Sequence, residues 1–142
     1  MLSEKGFSLI EVLISLIILS VSVIGISQFF NQANQISTGN NNKLVATNLA
    51  RMTLERLQND YGAYEMKAVP KTYEKSACTS PSCRDMYETL INNNTYETKI
   101  TVKPQKGKES SINLFPVKVT IQYMSNQKVQ STSVEGYVKN VK

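Results

Sequence analysis

The chain contains no histidine and no tryptophan, and only two cysteines, Cys78 and Cys83. Without histidine, the commonest general base and the commonest metal ligand are missing. Two thiols cannot complete a tetrahedral zinc site, which takes four ligands. These absences argue against an enzyme, and neither a metal nor any other cofactor is expected. Charge is also scarce where it matters most. Between residues 7 and 30 the one ionisable side chain is Glu11.

What is present is unevenly spread. The 142 residues give a prior of one domain. From residue 7 to residue 26 nearly every position is apolar, serine or glycine. Little more than half the chain is left to build a globular core. A core that small is marginal on surface-to-volume grounds and gains from a staple or a partner.

The net charge of +5 is localised. Residues 1–42 carry Lys5 against Glu4 and Glu11, and residues 43–95 are nearly balanced. From residue 96 onward eight lysines face three glutamates. Such a basic part could attract DNA or another anionic polymer, with Lys99, Lys103, Lys106 and Lys108 as contacts. It could equally be a solvated lysine-rich surface, since there is no arginine cluster and no lysine run.

The opening reads MLSEKG, then FSLIEVLISLIILSVSVIGISQFF. Residues 7–30 would form a helix of about 36 Å at about 1.5 Å per residue, enough to cross a bilayer's hydrocarbon core. A secretory signal peptide wants a positive n-region and a shorter apolar run. Here Lys5 is offset by Glu4, although Ser20-Val21-Ser22 resembles a weak cleavage site. A plain anchor leaves Glu11 unexplained, because an acid inside a spanning segment costs a few kcal/mol.

The sequence GFSLIEVLISLIILS resembles the class III leader junction of type IV pilins and pseudopilins. The resemblance implies a short cytoplasmic leader, residues 1–6, removed by prepilin peptidase between Gly6 and Phe7, and N-methylation of Phe7. It also implies that Glu11 acts in assembly. Cleavage creates an ammonium group at Phe7, and the Glu11 carboxylate of one subunit can meet the Phe7 ammonium of its neighbour. Two charges that are each unfavourable in an apolar filament core become tolerable together, and an out-of-step subunit leaves both unpaired. Other pilin or pseudopilin subunits and a membrane assembly platform are the expected partners. The expected location is the cytoplasmic (inner) membrane, single-pass with the N-terminus in the cytoplasm, and then a surface filament. Independently of the resemblance, Ser8, Glu11, Ser15, Ser22 and Gly25 fall within one arc of a helix at about 100° per residue. Small residues on one stripe let helices approach closely. Chance in a serine-rich stretch gives the same pattern.

Residues 31–43 are polar and would read alone as a loop. The family resemblance implies one long helix instead, and KLVATNLARMTLERLQND supports it with helix-spaced Leu44, Val45, Ala46, Leu49, Ala50, Met52 and Leu57. A helix over 8–59 is expected, weak or bent near Gly39, with Gly25 a second soft point. The stretch LVATNLARMTLERL resembles a segment of minor pilins of the pilus-modification type and of the matching minor pseudopilin of type II secretion. An ordinary amphipathic helix would look the same.

Residues 61–94 are irregular, with a short helix expected over 84–91. Cys78 and Cys83 enclose a Ser-Pro turn and would form a disulfide outside the membrane, worth about 1–2 kcal/mol at most for so short a loop. Asn93-Asn94-Thr95 matches a glycosylation sequon, as one tripeptide does by chance in an Asn-rich chain. Alternating runs at 96–102, 117–123 and 131–138 predict strands, joined by a polar linker and a turn near 124–128. The expectation is an α+β pilin-like fold with an antiparallel sheet of about three strands on a long helix. Its parts are a leader (1–6), a hydrophobic transmembrane or filament-core helix (7–30), its amphipathic continuation (31–60), and an extracytoplasmic region with disulfide and sheet (61–142).

Overall fold

A computed structural model describes residues 6–67 and 69–139. The leader residues 1–5 named above lie outside the described residues. The fold is α+β: a long N-terminal helix packed on a small antiparallel sheet. Helix α1 runs over Leu9–Asn59, followed by β1 (Thr72–Tyr73), α2 (Pro81–Tyr87), β2 (Glu88–Ile91), β3 (Asn94–Val102), α3 (Lys108–Ser111), β4 (Leu114–Ser125) and β5 (Lys128–Lys139). The chain divides into two compact units, one up to Thr38 and one from Gly39 onward.

The helix assignment is unbroken at Gly25 and Gly39. Extending an existing helix through a weak polar stretch needs no new nucleus, so residues 31–43 stay helical despite their composition. Within the second unit, Ala46, Leu49, Ala50, Thr53 and Leu57 are the buried helix positions. They follow the 3.6-residue period and face the inner side of the sheet. Leu44 and Met52, apolar and helix-spaced like these, are 61% and 39% exposed. At about 100° per residue they fall off the buried stripe.

The sheet has five strands, not three, in the order β1-β3-β4-β5, with β2 also paired to β3. Alternation decides its faces. Tyr96, Thr98, Ile100 and Val102 of β3 and Val117, Val119, Ile121 and Tyr123 of β4 point inward and are buried. The additional strands came from residues that carry little strand signal. The expected helix over 84–91 stops at Tyr87; Glu88–Ile91 forms β2 instead and turns into β3 through Asn92 and Asn93, both at positive φ. Asn126 and Gln127 make the equivalent turn between β4 and β5. Two consecutive residues at positive φ match the right-handed strand twist, which is why asparagine is tolerated there.

The Cys78–Cys83 disulfide is formed, with Cα atoms 5.7 Å apart. Its loop is tied to the Gly62–Tyr64 turn by one carboxylate. Glu65 accepts hydrogen bonds from the backbone N–H and hydroxyl of Thr79 (2.7 and 2.8 Å) and of Ser80 (2.9 and 2.6 Å). Ser80 also caps α2, its hydroxyl accepting from the Cys83 N–H at 3.2 Å. The Ser80 hydroxyl foremost, then the Thr79 groups, pull the Glu65 carboxyl down to about 2. A lowered carboxyl stabilises the fold above its unfolded pKa of roughly 4.3, and that contribution is lost as pH falls toward 2. The protection of the Thr79 and Ser80 amides, their exchange relative to the intrinsic rate, is therefore expected to rise as pH goes from 2 to 5. In Glu65→Gln this extra pH dependence should vanish; its persistence would place the clamp elsewhere.

Candidate functional site: the apolar helix face and the sheet surface

In the first unit, Ser8 caps α1: its hydroxyl accepts from the Glu11 N–H at 3.3 Å. Ser8 and Glu11 thus stand at the spacing of a capping box, a signal the opening residues carried. An acid in the first turn is also favoured by the helix dipole. The Glu11 carboxylate has no ion-pair partner among the described residues.

The described apolar side chains of this unit are exposed. Phe7 and Leu9 are each 85% exposed, and the stretch is long and apolar enough to cross a membrane. Its serines make no such demand on partners. The hydroxyls of Ser15 and Ser22 donate to the carbonyls of Glu11 and Ile18 at 2.8 Å, one turn back, and Ser20 and Ser27 do the same. Each hydroxyl is satisfied within its own helix, so Ser15 and Ser22 can face apolar surroundings without an orphaned donor. A Cβ at Gly25 would meet nothing within 4 Å, so its small size serves no packing among the described residues. Phe7, Val12, Ser15, Leu16 and Leu19 line a shallow groove of about 300 Å³.

In the second unit, the lysines proposed to meet an anionic polymer are partly neutralised. Lys103 Nζ lies 2.8 Å from Glu135 and Lys99 Nζ 3.6 Å from Glu74. The Lys103 hydrogen bond holds the Glu135 carboxyl below its ordinary range. Lys106, just before α3, and Lys108, its first residue, have no ion pair among the described residues. A cleft of about 470 Å³ beside β3 mixes Lys75, Arg84 and Lys99 with Glu74 and Glu97. Lys75 pairs with Glu88. The surface is therefore a patchwork of both signs. No cluster of metal-ligating side chains occurs among the described residues.

No curated protein and no solved structure matches the chain. Residues 1–27 match one family description, the prokaryotic N-terminal methylation motif. That span covers Gly6, Phe7, the Ser8 cap, Glu11 and the small-residue stripe. At its N-terminus, then, the chain carries a prokaryotic N-terminal methylation motif, the feature expected from its resemblance to the type IV pilin leader.

Proposed function

We propose that the chain is a structural subunit of a type IV pilus-like filament, acting as a minor pilin. Prepilin peptidase cuts between Gly6 and Phe7, Phe7 is N-methylated, and the subunit waits in the cytoplasmic membrane before entering a filament through its N-terminal helix. The observation that carries this reading is the methylation motif over residues 1–27, joined to an apolar helix with no partner of its own. Burial among like helices would remove that surface from lipid and place Ser8, Ser15, Ser22 and Gly25 at close helix contacts. Glu11 sets the register by meeting the Phe7 ammonium of a neighbour. The minor-pilin assignment rests on the resemblance of LVATNLARMTLERL. The same resemblance supports a minor pseudopilin of a type II secretion system, and the lysines after residue 96 support a competence pseudopilus.

Mass spectrometry of the mature N-terminus tests the reading most directly. A chain starting at N-methylated Phe7 is expected. An intact Met1, or a start near residue 23, would sink the proposal.

A further inference from the structure

The sheet ends in two free edges, and we propose that they join: β5 of one subunit pairs antiparallel with β2 of the next copy, extending the sheet from subunit to subunit. The proposal rests on the assembly reading above and names a surface for it outside the apolar helix.

The backbone phase of each edge follows from its turns. Pro116 stands opposite Tyr137 and has no N–H to give, so that pair exchanges no ladder bonds. The two-residue turn at Asn126 and Gln127 closes on Ser125 and Lys128, a bonded pair, and gives the same phase. Val129, Ser131, Ser133, Glu135 and Tyr137 therefore turn their N–H and C=O groups to the free edge. The Tyr137 carbonyl is the one of these that the helix reaches, accepting from Gln58 Nε2 at 3.1 Å. The remaining groups have no protein partner among the described residues. On the other side, the turn at Asn92 and Asn93 closes on Ile91 and Asn94, which turns Leu90 and Glu88 outward on β2.

Long exposed edges are normally guarded by charge, proline or a bulge. Between Lys128 and Glu135 this edge reads Val-Gln-Ser-Thr-Ser-Val, and its register with β4 is unbroken. The outer face adds a matching apolar row. Leu90 is 68% exposed on β2, Met124 50% on β4 and Val129 67% on β5; Leu90 pairs with Thr95 and Met124 with Val129. Thr95, Met124 and Val129 line one pocket of about 250 Å³. The row thus begins and ends on an exposed aliphatic side chain, one at each edge.

Direction selects the occupant. Three successive antiparallel pairings separate β2 from β5, so the two strands run oppositely within one chain. Two copies in the same orientation therefore present antiparallel edges to each other. With Leu90 of the next copy opposite Val129, Glu88 falls opposite Ser131, and both are bonded pairs in phase. Thr89 then faces Gln130 and Ile91 faces Lys128, so no like charges oppose. The apolar row becomes continuous across the junction. A contact between two different edges is heterologous and propagates, which suits a filament and not a closed dimer.

The test uses the full chain carrying Leu90→Cys and Val129→Cys together, oxidised in its own membranes, with filament sedimentation read in parallel. Cys78 and Cys83 are already bonded to each other. A ladder of dimers, trimers and higher species is expected on a non-reducing gel, with none from either single variant. Adding Ser131→Pro, which removes an edge-facing N–H and leaves the β4 ladder intact, should abolish the ladder. Dimers from Val129→Cys alone would mean that two β5 edges meet, overturning the proposal. Filaments without a ladder overturn this surface and leave assembly standing. A ladder without filaments keeps the surface and overturns the assembly reading, and neither product overturns both.

Discussion

Glu11→Ala is expected to yield a folded, disulfide-bonded, membrane-held chain that no longer enters filaments. Among the described residues the substitution removes no ion pair, because the carboxylate has no partner there and residues 6–38 are exposed. The loss would fall between subunits. An acid in a spanning helix costs roughly 2.5–3.5 kcal/mol at the centre, and breaking one side of a buried ion pair costs about 3–5 kcal/mol. At about 1.4 kcal/mol per factor of ten, leaving a neighbour's Phe7 ammonium unpaired lowers incorporation roughly a hundredfold or more. A local role for Glu11 predicts far less. An acid in the first turn contributes about 0.3–1 kcal/mol through the helix dipole. Ser8→Ala separates the two. It removes the cap, at about 1 kcal/mol, and keeps the carboxylate, so it should assemble nearly as the parent does. Pelleted filament fractions probed for the subunit read both variants. Normal assembly of Glu11→Ala, or equal failure of Ser8→Ala, would remove the register role.

The sequence made the periodic parts of this fold legible and hid those that depend on single contacts. The runs at 96–102, 117–123 and 131–138 all lie inside observed strands, because alternation over many residues survives local noise. Strand β2 has four residues, Glu-Thr-Leu-Ile, with no alternation to read, and its helix-like start masked it. The Asn92-Asn93 pair was the available signal, since residues tolerant of positive φ between two short runs mark a hairpin. Strand β1 exists because Thr72 and Tyr73 find Thr101 and Ile100, partners distant in sequence. The Glu65 clamp is similar: it joins residues 14 and 15 positions apart, and nothing in the local pattern of Glu65 announces it. At the candidate site the residue types were readable, as were their spacings. What the pattern could not show was that Ser15 and Ser22 satisfy their own hydroxyls, which makes the stripe compatible with apolar neighbours.

Gly136→Val is expected to loosen the helix from the sheet, and Leu54→Ala in the same chain to restore it. Gly136 faces inward on β5, opposite Val117. A Cβ built there would lie 2.6 Å from Leu54 Cδ2 and 3.3 Å from Leu54 Cγ. Turning the end of the leucine moves Cδ2 but not Cγ, so the whole side chain or the helix must shift. The two valine methyls enlarge the clash. Overpacking of this kind costs about 1–3 kcal/mol. For a unit of this size, each kcal/mol lowers Tm by roughly 4–8 °C, read from the near-ultraviolet circular dichroism of the buried tyrosines. Leu54→Ala alone loses part of a half-buried contact and should cost less. If clash is the cause, the double variant is more stable than Gly136→Val, and the cycle gives a favourable coupling. Valine's strand preference and the lost freedom of glycine would favour the fold; if the loss came from contacts other than Leu54, the two substitutions would add. Additivity would mean that the close approach of α1 to β5 does not constrain position 136.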